Sequence, residues 1–161
     1  MPDKANATVC LFDNEYILLH DGVDLTEVKP LTSKTYVPRG TTALYDAIGR
    51  TISAIDSRVS KSPEQKVVIA ILTDGQENAS REFNKTKIMD MIKAREKQGW
   101  LILYLSASAS AFADASSIGV SSNNTMSFTA NSAGMRKAYG SMSFSTASYR
   151  TSNDKKYKNG W

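Results

Sequence analysis

The stretch Val67-Val68-Ile69-Ala70-Ile71-Leu72-Thr73-Asp74-Gly75-Gln76-Glu77-Asn78 decides the fold of this chain. Its first six residues are all apolar and mostly β-branched, which is typical of a strand buried on both faces of a parallel sheet. Thr73-Asp74-Gly75 ends the strand abruptly, and further polar residues follow. Because ligands of open α/β sheets bind beyond the carboxyl ends of the strands, the stretch predicts both the sheet and the edge at which a site would lie.

A helix is predicted on each side of this strand. The helix before it is expected to begin at Thr42 and to end at Lys61-Ser62-Pro63. The helix after it is expected to begin at Asn84 or Thr86 and to end at Gly99. The apolar residues that recur at the helical period in the first helix are Leu44, Ile48, Ile52, Ile55 and Val59.

The rest of the chain extends this alternation of strands and helices. Residues 8–12 and 16–20 predict a hairpin, and residues 23–39 predict a loop. Residues 100–105 predict a second fully buried strand, followed by a serine-rich loop at 106–110 and a short helix near 112–118. A short edge strand at 125–128 and a last helix from Asn131 or Ser132 complete the pattern. The order predicts an α/β domain whose mostly parallel sheet carries helices on both faces.

Length and charge set the domain organisation. The 161 residues suffice for one domain with a core, which we place at residues 1–150. The remaining residues, 151–161, are expected to form a polar, frayed tail. Residues 150–161 carry four basic side chains against one acidic one, which is +3 of the net charge of +4, so the body is nearly neutral. Such a body is not typical of a domain that wraps a nucleic-acid backbone.

Several functional classes are disfavoured by residue content. The chain has one cysteine, Cys10, and one histidine, His20, which argues against a disulfide framework and most nucleophilic triads. It contains no glycine-rich phosphate loop and no Gly-x-Ser-x-Gly motif. A mechanism that uses only the carboxylates of Asp13, Asp74 and Glu77 stays open. The absence of a secretory leader and of a long apolar stretch predicts a cytoplasmic protein.

Two segments carry a resemblance to a known family. They are Pro38-Arg39-Gly40-Thr41-Thr42-Ala43-Leu44-Tyr45-Asp46-Ala47-Ile48 and the strand-loop stretch of residues 67–78. Together they resemble the von Willebrand factor A family, closest to its stand-alone bacterial and bacteriophage members, over residues 8–150. The resemblance implies a Rossmann-like fold and places Thr42 and Asp74 at the positions that help to hold a divalent cation.

The same resemblance exposes a gap. The family's first strand, its Asp-x-Ser-x-Ser metal loop and the following helix have no counterpart before the segment of residues 8–12. Without those ligands, one threonine hydroxyl and one carboxylate would hold Mg²⁺ poorly. We therefore predict either no cofactor or a weakly bound Mg²⁺ whose coordination is completed by a partner's carboxylate.

The missing strand would lie between the strands of residues 8–12 and 67–72, and unpaired buried backbone groups cost about 1–3 kcal/mol each. Three solutions are open: direct pairing of the two strands, a strand from a second copy, or a strand from a different chain. We expect the gap to close and the protein to form a homo-oligomer.

The candidate binding residues lie in the loops at the carboxyl edge. Thr42 also suits a helix N-cap, and Asp74-Gly75 also suits a plain turn, but the concentration of polar groups after the strand favours a site. We expect Thr42 and Asp74 to be the principal residues of this site. The same two residues would form an incomplete metal site. The other candidates are Asp13, Arg39, Thr41, Gly75 and Ser106.

The sequence favours binding over catalysis. The first hypothesis is a module of phage origin that binds another protein through the carboxyl-edge loops. The second is a phage protein that sequesters a small anionic ligand such as a nucleotide, or blocks a host defence component, with Arg39, Thr41 and Thr42 holding the anion near a subunit interface. The third is a phage structural or assembly component, and a hydrolase comes last.

Overall fold

The structure, a computed structural model, describes residues 4–37, 39–62, 64–154 and 157–159. Strands and helices alternate along the chain as the sequence predicts. The elements are β1 (Asn6–Phe12), β2 (Tyr16–Asp24), α1 (Leu44–Val59), β3 (Val68–Thr73), α2 (Lys85–Lys97), β4 (Leu101–Ser106), α3 (Ala111–Ser117), β5 (Thr125–Ser127) and α4 (Ser132–Thr151), with 3₁₀ turns at Leu25–Glu27 and Ser122–Asn124.

These strands form two separate sheets. The order of the larger sheet is β3-β4-β5, and both of its pairings are parallel. The smaller sheet is the antiparallel hairpin of β1 and β2. Helices flank the parallel sheet, so the α/β class is confirmed, and the arrangement is consistent with a Rossmann-like fold.

The parallel sheet carries a core on each face. The larger core joins α1, α2 and the end of α3 to one face of β3 and β4, with Ile52, Ile88 and Ile102 fully buried. The smaller core lies on the other face, where Leu103 and Leu105 pack with residues of α4 such as Ala138 and Tyr149. All six residues of β4 are buried, as a central strand with both faces covered requires.

The sequence misplaces two element boundaries. Helix α1 has Ala43 as its N-cap residue, one position after the predicted start at Thr42, and neither residue's side chain caps it. Strand β2 continues to Asp24 beyond the turn expected at Asp21-Gly22, because Gly22 adopts a φ of 65° inside the strand and a register shift absorbs it. Pro63, the predicted stop of α1, lies outside the described residues.

Strand β3 is not buried on both faces, and the prediction for it is wrong. Ile69 and Ile71 face the larger core, but Ala70 on the opposite face is exposed and Val68 and Leu72 are only half-buried. Helix α4 packs mainly over β4, so the opposite face of β3 has incomplete cover among the described residues.

The gap beside β3 does not close by direct pairing with β1. The bonds from Leu101 N to Val67 O (2.9 Å) and from Ala107 N to Thr73 O (3.1 Å) fix the register of the parallel ladder. In that register the N–H and C=O groups of Val68, Ala70 and Leu72 point away from β4. No described strand pairs with this edge, so the expected closure is wrong.

The hairpin and β3 nevertheless share a support. Thr51 of α1 lies 3.4 Å from the Cys10 sulfur and 3.0 Å from the Tyr16 hydroxyl, and Arg58 donates a 2.7 Å bond to the Thr8 hydroxyl. The same helix packs against β3 through its buried stripe. Helix α1 therefore holds the two sheets side by side, and each keeps an unpaired edge.

The described part of the tail is packed rather than frayed. The Tyr157 ring meets the Tyr149 ring edge to face at 5.5 Å, and Asn159 is buried and donates a 3.2 Å bond to the Asn123 carbonyl. Lys155 and Lys156 lie outside the described residues. None of the described helices combines the length and the apolar character needed to cross a membrane.

The open edge of β3 predicts an alternating pattern of hydrogen exchange. In the monomer the amides of Val68, Ala70 and Leu72 are expected to exchange rapidly, because no described strand pairs with them, whereas those of Ile69 and Ile71 are protected by β4. Residue-resolved native-state exchange by NMR measures this pattern. Uniform protection along β3 would show that its outer edge is paired in solution.

Candidate functional site

The carboxyl ends of the three parallel strands surround a groove of about 260 Å³. Leu72, Thr73 and Asp74 contribute from the end of β3, and Ala107 contributes from the residue after β4. Tyr36, from the loop that follows β2, forms another part of the wall. The remaining lining residues follow β5 or begin α4, and they are Phe128, Ala130, Asn131 and Met135. The groove thus lies where the sheet topology predicts a site.

The lining is largely apolar and contains one carboxylate. Tyr36, Phe128 and Met135 supply aromatic rings and a thioether, and Asp74 is the charged member. Asp74 is exposed, and no hydrogen bond or ion pair of its carboxylate is found in the described part of the chain. Asn131 caps α4 by accepting a 2.8 Å bond from the Gly134 amide. The groove therefore combines adaptable apolar walls with an uncompensated negative charge.

The loop after Asp74 is held rigidly on the N-terminus of α1. The Glu77 carboxylate accepts a 3.0 Å bond from the Tyr45 amide, and the Ser80 hydroxyl accepts a 3.1 Å bond from the Asp46 amide. The free amides in the first turn of α1 are therefore capped from another loop, not by Thr42. Glu77 also accepts bonds from the amides of Ala79 and Ser80, which folds the loop around its carboxylate.

Asp46 of α1 in turn accepts hydrogen bonds from the loop. Its carboxylate accepts three backbone bonds of 2.8–2.9 Å from the amides of Arg81, Glu82 and Phe83. Partial burial acts to raise the pKa of Asp46, but these donors outweigh it and lower the pKa below the ordinary value of 3.8. The ionised carboxylate is therefore the form that holds the loop.

Two side-chain contacts extend this attachment. A Cβ atom at Gly49 would lie 2.5 Å from the ring of Phe83, so the ring rests directly on the helix backbone. Arg50, one residue further along α1, forms an exposed ion pair with Glu82. The loop of residues 77–83 is thus joined to α1 by backbone and side-chain contacts.

Thr42 and the Asp74-Gly75 turn come together, as the sequence predicts. A Cβ atom at Gly75 would lie 2.7 Å from the Thr42 hydroxyl oxygen, so a larger residue at position 75 would clash with that oxygen unless it moved. The backbone of Thr42 exchanges two bonds with Asn78, one to the side-chain oxygen (2.9 Å) and one from the amide (3.0 Å). This contact joins the two loops whose sequences carry the family resemblance.

The other predicted site residues are not brought into the groove. Arg39 forms ion pairs with Asp13 (3.2 Å) and Glu15 (3.0 Å) at the end of the hairpin, and Thr41 is exposed. Ser106 is fully buried, and its hydroxyl accepts a 3.1 Å bond from the Ser108 amide. Of the seven candidates, Asp74 lines the groove, and Thr42 and Gly75 adjoin it through the contact just described.

The donors around Thr42 do not fit a tightly held cation. The described residues contain no group of three or more His, Cys, Asp or Glu side chains suited to a metal. Of the other carboxylates that the sequence names, Asp13 is paired with Arg39, and Glu77 accepts bonds from the amides of Tyr45, Ala79 and Ser80. Because Mg²⁺ requires near-octahedral oxygen coordination, Thr42 and Asp74 alone would leave most positions to water. Weakly bound Mg²⁺ stays a prediction.

Sequence reasoning missed the apolar wall of the groove and the bonds that support it. Tyr36 falls in a segment without periodicity, and Phe128 and Met135 belong to elements that meet only in the folded chain. A detectable signal was the cluster Glu77, Ser80 and Asp46, since acidic and hydroxyl side chains near a helix start commonly cap it. That signal does not reveal that the residues that cap α1 come from a loop distant in sequence.

No protein-family description, curated protein or solved structure matches the chain. The resemblance to the von Willebrand factor A family therefore stays a prediction that the sequence alone supports.

Removing the Asp46 carboxylate is expected to destabilise the protein in a pH-dependent manner. Asp46→Ala is expected to cost about 1–3 kcal/mol near neutral pH, because three backbone amides lose a charged acceptor. The folded-state pKa is lowered, so this contribution is complete above about 3.8 and is lost as the pH falls through the folded-state value. Urea unfolding of both proteins between neutral and acid pH measures it.

Asp90→Ala is the matched control for that measurement, because Asp90 is exposed on α2. It is expected to change the free energy of unfolding by less than about 0.5 kcal/mol. A difference between wild type and Asp46→Ala that stays constant down to acid pH would contradict the role given to the carboxylate.

Proposed function

We propose that this chain is a non-catalytic binding module that takes a segment of another protein into the groove at the carboxyl edge of its parallel sheet. The observation that carries the proposal is the groove itself, whose walls come from three strand ends and the start of α4. Apolar clefts with a few fixed polar groups are the usual form of a binding site. The loop that follows Asp74 is hydrogen-bonded to α1 through Glu77 and Phe83.

The chemistry of the lining supports binding rather than catalysis. Among the described residues, Asp74 is the carboxylate of the groove, and no described histidine, lysine or cysteine lines it beside that group. Nucleophilic catalysis commonly pairs the nucleophile with an adjacent base that is oriented by a third group. Tyr36, the other titratable side chain of the lining, lies on the wall formed by the loop after β2.

The groove favours a protein segment over an anionic small molecule. Its volume of about 260 Å³ lies below the roughly 300–1,000 Å³ of pockets that enclose drug-sized ligands. Arg39, the cation expected to hold an anion, is occupied by Asp13 and Glu15. Asp74 would also repel a phosphate. Calorimetry against a panel of cyclic nucleotides tests the anionic alternative, which flat heats would remove.

The finer fold assignment belongs to the same proposal. The contact of Thr42 with Gly75 supports a von Willebrand factor A-like arrangement in which two loops meet at the carboxyl edge. A phage origin follows from that resemblance alone. Because the groove walls require no metal, we expect partner binding to persist in a chelator.

Groove substitutions are expected to abolish partner capture. The double variant Phe128→Ala, Met135→Ala removes much of the apolar wall and is expected to lose proteins that the tagged wild-type chain retains from a lysate. Phe112→Ala, Phe144→Ala is the matched control, since both side chains are exposed and neither lines the groove. Pull-downs with Mg²⁺ and with EDTA, read by mass spectrometry, measure the difference. Equal retention by the two double variants would refute the groove as the docking site.

Self-association is a second proposal, and the open edge of β3 favours it. Exposed strand edges pair readily with other chains, and a charge on such a strand opposes pairing. Ala70 is exposed at the centre of this edge strand, so it accepts a larger residue without a cavity or clash in the core.

Ala70→Lys is expected to convert an oligomer into a monomer. Size-exclusion chromatography with light scattering at micromolar concentration measures this, and Ser57→Lys, on an exposed position of α1, is the control for added charge. A wild-type protein that is already monomeric would remove the proposal, as would an oligomer that Ala70→Lys leaves intact.

A further inference from the structure

The charge balance of the groove identifies the kind of partner residue that it accepts. Two cations of neighbouring segments form pairs elsewhere: Arg39 binds Asp13 and Glu15, and Arg50 binds Glu82. Asp74 keeps a carboxylate with no described partner beside apolar walls. Opposite charge on a docking segment would therefore be complementary to the groove, and a partner's acidic side chain would meet repulsion.

We infer that the groove takes an arginine side chain of the partner protein, an inference that rests on the proposed function. Its guanidinium would bind the Asp74 carboxylate, and its methylene stem would lie along Leu72 and Met135. Arginine is preferred to lysine because its planar group matches a carboxylate in a two-point contact and stacks on aromatic faces. Tyr36 and Phe128 supply such faces in the same lining.

The groove also has the right extent for one long side chain. Its lining spans the ends of β3, β4 and β5, so Phe128, Met135 and Asp74 all face one cavity of about 260 Å³. Met135 adapts to the stem because its unbranched thioether is flexible. Asp74 at the end of β3 then sets the specificity through a partly exposed ion pair, while the apolar walls contact the stem.

The test uses four short peptides on the full chain: Ac-Gly-Arg-Gly-NH₂, the same peptide with citrulline, with lysine, and with glutamate, each with Mg²⁺ and with EDTA. Citrulline keeps the shape of arginine and lacks its charge. Titrations followed by ¹⁵N NMR locate binding through the amides of Asp74, Ala107 and Phe128. The variants are Asp74→Asn and the matched control Asp90→Asn, a neutralised aspartate on the exposed face of α2.

The arginine peptide is expected to shift the groove amides, with a Kd about five-fold lower than that of citrulline, as a partly exposed ion pair allows. Asp74→Asn is expected to remove this difference, and Asp90→Asn to leave it unchanged. Equal binding of arginine and citrulline, or Mg²⁺-dependent binding of glutamate, would overturn the arginine inference and leave the groove as a docking site. Groove amides that respond to none of the peptides would overturn both the inference and the proposed function.

Discussion

The structure depends on one exchange of hydrogen bonds between the start of α1 and the loop after β3. Glu77 and Ser80 accept the free amides of the helix, and Asp46 of the helix accepts three amides of the loop. Each segment thus satisfies backbone donors that the other would leave unpaired, and charged acceptors make these bonds stronger than neutral ones. The attachment holds the loop that follows Asp74, the carboxylate of the groove lining.

The element order could be predicted from the sequence because each element carries its own local signal. The stripe of α1, the apolar run of β4 and the Asn84 and Asn131 caps all act within a few residues, and the structure has them where the pattern places them. The burial of β3 could not be read in this way. An apolar run shows that both faces of a strand can be buried. Whether they are buried depends on which elements pack beside the strand, and Ala70 is exposed.

The candidate site was predictable in location and only partly in membership. Ligands bind beyond the carboxyl ends of parallel strands, which predicts Asp74 as a site residue, and Asp74 does line the groove. Thr42 contacts the turn that follows β3. Ser106, the last residue of a buried strand, points inward and is not part of the groove. Arg39 is not part of the groove because it forms ion pairs with Asp13 and Glu15 at the end of the hairpin. Tyr36 and Phe128 are distant in sequence, and only the folded chain shows that they share a cavity.

The separation of the two sheets also bears on cooperativity. The hairpin of β1 and β2 shares no described ladder with the rest of the chain and is attached through α1 and through the 2.7 Å bond from the Ala43 amide to the Asp13 carbonyl. An isolated two-stranded hairpin is marginally stable in water, so this one persists only while α1 is folded. The converse does not hold, since the core of α1 lies mainly against β3 and β4. The molecule therefore consists of a dominant folding unit and a dependent one, and the hairpin is the part that detaches first when the protein is stressed.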